Sequence, residues 1–483
     1  MLFNSYLFIF IFLPVTLIGY FFINSKLNHT IGKKLLVISS LFFYSYWNIS
    51  YLPLILSSIL VNFYSSRWIL AEQRQNRKKM IFLLGLGFNL FLLGYFKYRD
   101  FFLDNINFLF SSDIHFARLA LPLGISFFTL QQIAYLVDAF QGITEKKKMT
   151  DYSLFVVFFP QLIAGPIVHY QNVMGQFENN ENKKINLDHL KLGLYIFVLG
   201  LFKKVILADT FSGWATEGFD HTETLHFFQA WGTSLSYTFQ LYFDFSGYSD
   251  MAIGIGYMFN ISLPKNFNSP LQARNIVDFW SRWHITLTQF ITSYVFTPLV
   301  RSFKEINFRN SMIAMFIAMS ISGLWHGAAW TFILYGAIHG LAIIVNHSMK
   351  KRKIKLPKTL AWFLAFNFIN IGFTLFRATS LSDAWKVYQG MLGLTFFQIP
   401  KGIISNSFIK SSGMTLGQHM TNDDNLFLGM IILGFIIVLK LKNTMELMDK
   451  FKGSHKDAII TAFMFIICIF GLTRVSEFIY FNF

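Results

Sequence analysis

Cysteine is almost absent from this 483-residue chain: Cys468 is the only one. A single thiol excludes an intrachain disulfide framework, and no Cys/His cluster has the spacing of a zinc site. Cys468 lies in an apolar run and reads as a small core residue. Charge is scarce as well. Asp, Glu, Lys and Arg make up 14% of the residues, whereas a soluble globular protein carries about 25%. The chain has too little polar surface to cover a soluble fold of this size. There is no internal repeat, no soluble domain and no sign of a cleaved leader. The apolar stretch from Leu7 to Ile23 has neither a basic n-region nor an A-x-A-like site, so it is expected to be a first membrane span.

What fills the chain is hydrocarbon. Hydrophobic residues account for 54%, aromatics for 19%, and phenylalanine alone for 60 positions. Phe tolerates the bilayer interior, and Trp and Tyr suit the interfacial belts. The formal net charge of +16 would suggest nucleic acid in a soluble protein. Here the basic residues gather in short runs between apolar stretches, which is the positive-inside pattern and an attraction to anionic lipid. No nucleic-acid partner is expected.

A span needs about 20 apolar residues. Strong stretches are 5–23, 36–62, 80–96, 151–168, 190–207, 228–246, 311–346, 359–376, 425–441 and 457–473. Weaker ones at 119–140, 248–262 and 285–300 are short spans or re-entrant elements. The expectation is one all-α, polytopic membrane domain over 1–483 with about eleven crossings. The polar stretch 397–424 is expected to be a loop. Arg74, Arg77, Lys78 and Lys79 form one basic run, and Lys350, Lys351, Arg352, Lys353, Lys355 and Lys358 another. Both should be cytoplasmic. A third group, Lys440, Lys442, Lys450 and Lys452, would put the far end of 457–473 outside.

Between Arg309 and Lys350 there is no Asp, Glu, Lys or Arg, and within that stretch lies SISGLWHGAAWTFILYGAIHG, residues 320–340. A titratable side chain at membrane depth is a functional candidate. An imidazole that accepts a proton is what general-base attack by an alcohol requires. His326 is that imidazole, set among Gly323, Gly327, Ala328 and Ala329, small residues that permit close approach of a helix or ligand. The plainer reading is a histidine bonded to a neighbouring helix. That reading is stronger for His339, and His347 is expected at the interface.

A second cluster is DFWSRWHITL at 278–287, which holds Asp278, Arg282 and His284 with Trp280 and Trp283. It suits either an amphipathic interfacial helix or a re-entrant helix with His284 near His326. A third is QLYFDFSGYSDM at 240–251. Asp244 and Asp250 are six residues apart and do not share one face of a straight helix, and Gly247 offers a break between them. Each carboxylate needs a partner or an aqueous cavity. Ion pairing with Arg282 or a lysine and a place in a tunnel are both open.

Together these stretches resemble the MBOAT family, the membrane-bound O-acyltransferases, in its bacterial alginate and peptidoglycan O-acetyltransferase branch. Further matching landmarks are PLGISFFTLQQIAYLVD at 122–138, FFPQLIAGPI at 158–167, LPKNFNSPLQ at 263–272, FRA at 376–378 and FIYFNF at 478–483. The resemblance implies a bundle with re-entrant helices around a central tunnel. It implies that His326 of the WHG motif is catalytic and that His284 of the RWH motif is the second marked position. Trp325, Asp244, Asp250, Asp278, Arg282 and His339 would then border the substrates. It also implies Tyr480 of the terminal hexapeptide as an acyl carrier, a phenol made nucleophilic by a base. The implied donor is acetyl-CoA, with no metal. The implied partners are membrane lipid, an acceptor polysaccharide and a periplasmic acetyltransferase or esterase-like protein. The implied place is a bacterial inner membrane, with the C-terminus extracytoplasmic. One departure from alginate-type members is VRSFKEINFRN at 300–310, which has no Gly where many of them carry a Gly-rich basic loop. The competing reading is a transporter or lipid scramblase with histidines as a proton relay.

Overall fold

The computed structural model describes residues 1–395, 424–472 and 478–479. Helices make up nearly all of its regular structure, and no strand occurs among the described residues. The polar stretch 397–424 lies outside them except for its last residue, and so does Tyr480.

Five helices are long and apolar enough to cross a bilayer: Phe8–Lys26, Ile49–Ala71, Gln75–Phe110, Trp330–Lys351 and Lys358–Arg377. Asn425–Lys440 is a shorter apolar helix. This is a multi-pass membrane protein. Its outward surface fits that medium, since Ile18, Leu84, Phe91, Phe363 and Phe470 are all exposed. Apolar side chains on that scale need lipid rather than water around them.

Two apolar runs expected as single crossings are each broken in two. The run 36–62 ends one helix, His29–Ser45, and begins another, Leu52–Ala71. Asn48 caps the turn between them by accepting from the Ser50 backbone N–H at 2.9 Å, and a proline lies in the first turn of the second helix. Proline fits there because that turn needs no N–H donor. The run 311–346 divides into Phe308–His326 and Trp330–Lys351, with Gly327 and Ala329 both extended. Hydrophobicity alone cannot register such a break, because the intervening residues are apolar too. Conversely, Gly247 does not interrupt its helix. Phe227–Met258 runs unbroken for 32 residues.

The chain folds into two compact units. The first comprises 1–202, 248–265 and 451–483. Its interior holds Lys33 paired with Asp151 at 2.8 Å, and Asn62 bonded to Asn89. It also contains an aromatic stack in which Tyr248 lies 4.7 Å from Phe3 and 4.4 Å from Phe478. The second comprises 203–247 and 266–450. The Phe227–Met258 helix contributes to both, up to Gly247 in the second unit and from Tyr248 in the first.

Candidate active site

The second unit brings the two motif histidines together. His326 is the last residue of the Phe308–His326 helix, and His284 precedes the Ile285–Ile291 helix. Both are buried, at 3% and 0% exposure, and their ring centroids are 6.4 Å apart. Trp325 completes the group, 4.9 Å from His326 and 6.2 Å from His284. Phe376, at 5.1 Å, closes the other side of His326.

The end of the Phe308–His326 helix is fixed by close packing on Trp330–Lys351. A Cβ on Gly323 would fall 2.9 Å from the Gly336 Cα, closer than such atoms approach. A Cβ on Gly327 would run into the Phe332 ring. Only glycine lets these two helices and the turn between them approach this closely.

His284 is held in an unusual way. Its backbone is left-handed, with φ 43° and ψ 52°. For a residue other than Gly, Asn or Asp this costs on the order of 1 kcal/mol, and such conformations gather at functional sites. The loop around Asn266 sustains it. The Asn266 carbonyl oxygen accepts from the Ile285 N–H at 3.0 Å, and the Asn268 N–H donates to Arg282 O at 2.9 Å. The Asn266 side-chain oxygen accepts from the Thr286 N–H at 3.2 Å and from the Thr286 hydroxyl at 3.0 Å. These bonds identify that amide atom as oxygen, so His284 Nδ1, 3.2 Å away, must donate to it. A neutral His284 therefore carries its proton on Nδ1 and presents the Nε2 lone pair. Phe245 meets the ring edge-on at 4.7 Å.

The other expected site residues are placed differently. Asp278 and Arg282 pair with each other at 2.7 Å, one turn apart and about one-third exposed, and Asp278 also accepts from the Arg274 N–H. Trp280 Nε1–H donates to His339 Nδ1 at 3.2 Å. His339 is fully buried and lies 4.4 Å from Tyr335. Asp244 does not pair with Arg282. It joins Lys204 at 2.6 Å, and Lys204 also reaches Asp209 at 3.0 Å, a buried charge cluster of one cation and two carboxylates among the described residues. Asp250 is buried in the first unit. Sequence reasoning missed Asn266, although it lies in the LPKNFNSPLQ motif, and missed Lys204, whose signal was a lysine within an apolar stretch.

A cavity of about 230 Å³ lies between these elements. Trp280, Ser281, Thr288, Ser322 and His347 line it, and the basic run 350–358 follows His347 in the chain. Ser322 is one turn before His326 on the same helix.

Two buried imidazoles lie 6.4 Å apart, one of them with its Nδ1 proton held by Asn266, an arrangement with the chemistry to move a proton. Comparison with known proteins gives that site a family. Residues 41–382 match the MBOAT, membrane-bound O-acyltransferase family. The chain belongs to this family. It is 44% identical to a peptidoglycan O-acetyltransferase of Helicobacter pylori, over 100% of this chain and 98% of that one. It is 35% identical to the Pseudomonas aeruginosa protein named "Probable alginate O-acetylase AlgI", over 83% of this chain and 76% of the other. A teichoic acid D-alanyltransferase of Streptococcus thermophilus is 28% identical over 54% of this chain and 69% of its own length. Membership in an acyltransferase family disfavours the transporter and scramblase reading.

Proposed function

We propose that this enzyme moves acetyl groups from cytoplasmic acetyl-CoA across a bacterial inner membrane for O-acetylation of an extracytoplasmic polysaccharide. Peptidoglycan is the leading acceptor, because the relative of that name aligns over the whole chain at the higher identity. The observation that carries the reading is the approach of His284 and His326, buried 6.4 Å apart in a chain of this family.

The chemistry asks for one proton to move twice. An acceptor hydroxyl gives its proton to an imidazole of the pair as its oxygen attacks the thioester carbonyl. The C–O bond forms, the C–S bond breaks, and the imidazolium returns the proton to the departing sulfur. His326 is the catalytic base and His284 its second. Trp325 and His339 border the reacting groups, while Asp278, Arg282 and Asp244 frame the approaches to them. The cavity beside Ser322 and His347 suits the thioester arm of the donor, with the basic run 350–358 near its nucleotide phosphates.

In the same reading 1–483 is one membrane domain with about eleven crossings, and re-entrant helices surround a central tunnel. The first hydroxyl acylated is that of Tyr480, on the extracytoplasmic side. A periplasmic acetyltransferase or esterase-like partner then passes the group to the polymer. The deciding experiment is acyl labelling in proteoliposomes supplied with radioactive acetyl-CoA. Label on the chain, discharged by a hydroxyl acceptor, supports the reading. A chain that never takes label and never acetylates an acceptor sinks it.

A further inference from the structure

The first compact unit has a groove of about 420 Å³ that the reaction does not use. Its walls are the Leu187–Phe202 helix and the His455–Gly471 helix. Leu194, Val198, Ala458, Ala462 and Phe465 make its length apolar. They recur at helical spacing, so each helix turns one continuous strip to the groove. Its polar end is Lys191, Ser454 and Asp457. The flanks of the His455–Gly471 helix outside the groove face lipid: Ile459, Phe463 and Phe470 are 65% to 76% exposed.

We propose that this groove binds one phospholipid with an anionic headgroup. One acyl chain would lie between the helices and the phosphate would meet Lys191. Three observations select that occupant. The lining is an apolar slot with a single polar end, the shape of an amphiphile. Asp457 is already engaged as part of a helix cap, accepting from the Ser454 N–H and hydroxyl at 3.0 and 2.9 Å. The cationic groups at this end, Lys191, Lys452 and Lys456, are exposed and outnumber the carboxylates of Asp188 and Asp457. Lys191 lies with its stem 3.7 Å from where a Gly453 Cβ would stand, on a loop held by Phe451 stacking on Tyr195 at 4.9 Å. Lys191 thus lines the polar end of the slot. Its contact with Asp188, 3.4 Å between groups 58% and 91% exposed, is too weak to occupy it. A lysine near an anionic surface favours binding severalfold.

The full-length protein purified in detergent would be incubated with phosphatidylglycerol or with phosphatidylcholine and examined by native mass spectrometry. Expected is one retained phosphatidylglycerol per chain, favoured over phosphatidylcholine by about five-fold. Lys191→Gln should erase the headgroup preference while leaving chain binding. Ala462→Trp should displace both lipids, with Ala458→Leu as the milder variant should Trp prevent insertion. Equal retention of the two lipids by the unaltered protein overturns the proposal. So does undiminished phosphatidylglycerol on a folded Ala462→Trp or Ala458→Leu variant. A dimer cross-linked through Cys at position 462 would assign the groove to a second copy of the chain instead.

Discussion

Asn266 accepts the Nδ1 proton of His284 at 3.2 Å and so decides which nitrogen of that ring can take another. Removing the acceptor should damage the reaction without removing the imidazole. Asn266→Leu leaves the neutral ring free to exchange tautomers, and transfer from acetyl-CoA should slow by up to about a hundredfold. Asn266→Asp keeps an oxygen in place and should retain most of the rate. A folded Asn266→Leu protein that transfers at full speed would show that the tautomer is immaterial.

His284 itself is best tested with a residue that tolerates its backbone. Asparagine accepts the left-handed conformation more readily than most side chains. His284→Asn should therefore fold while losing transfer, whereas His284→Ala combines both effects. His326→Ala lies in helical backbone and needs no such care. It should lower transfer by about a hundredfold to ten-thousandfold, the usual cost of losing a general base. Near-normal acetylation by a stable His326→Ala protein would remove that residue from the mechanism.

How much of this was legible beforehand differs from residue to residue. His326 stood out because nothing charged surrounds it for forty positions, and the motif around it was long. His284 was visible as a motif member, but its left-handed backbone was not, since the modest preference of histidine for that region is too weak to forecast any one position. Asn266 carries neither charge nor periodicity, and its role exists only through a hydrogen bond across 18 residues. The carboxylate of Asp244 clearly required a partner, and a lysine was one of the options, yet only folding brings Lys204 across 40 positions to meet it. Gly247 gave a false signal: a glycine inside a helix costs about 1 kcal/mol, which a long buried helix absorbs.

The Lys204 cluster makes a stability prediction. Lys204 holds Asp209 and Asp244 with side-chain exposures of 4%, 13% and 2%. Lys204→Met would remove the cation that these two buried carboxylates share, at a cost of about 3–5 kcal/mol. Thermal melting in detergent should show a large loss. The triple change Lys204→Met, Asp209→Asn and Asp244→Asn should recover much of it. If the single and triple variants melt alike, the cluster is not a compensated charge group.

The packing of Gly323 on Gly336 predicts a different failure. Gly323→Ala inserts a methyl group where the opposing backbone already stands, and overpacking of this kind costs about 1–3 kcal/mol. The displaced helix end carries Trp325 and His326. Both melting temperature and transfer rate should fall. Gly87→Ala is the control, because no atom lies within 4 Å of its added Cβ. Equal behaviour of the two alanine variants would refute the close-contact account.

The last prediction concerns Tyr480. The basic group at 440–452 marks one side of the membrane. The helix His455–Gly471 then rises about 25 Å, close to one bilayer core. The function proposed above puts the terminal hexapeptide on the far side. Phe478, the first residue of that hexapeptide, is 1% exposed and stacked on Tyr248 at 4.4 Å. In that reading the Tyr480 hydroxyl receives the acyl group. Tyr480→Phe keeps the ring and removes only the hydroxyl. It should abolish label on the chain and acetylation of the polymer, with the melting temperature and acetyl-CoA binding unchanged. Complete polymer acetylation by Tyr480→Phe would reduce the residue to an interfacial aromatic. A C-terminal tag reached by protease only from the cytoplasm would overturn the sidedness as well.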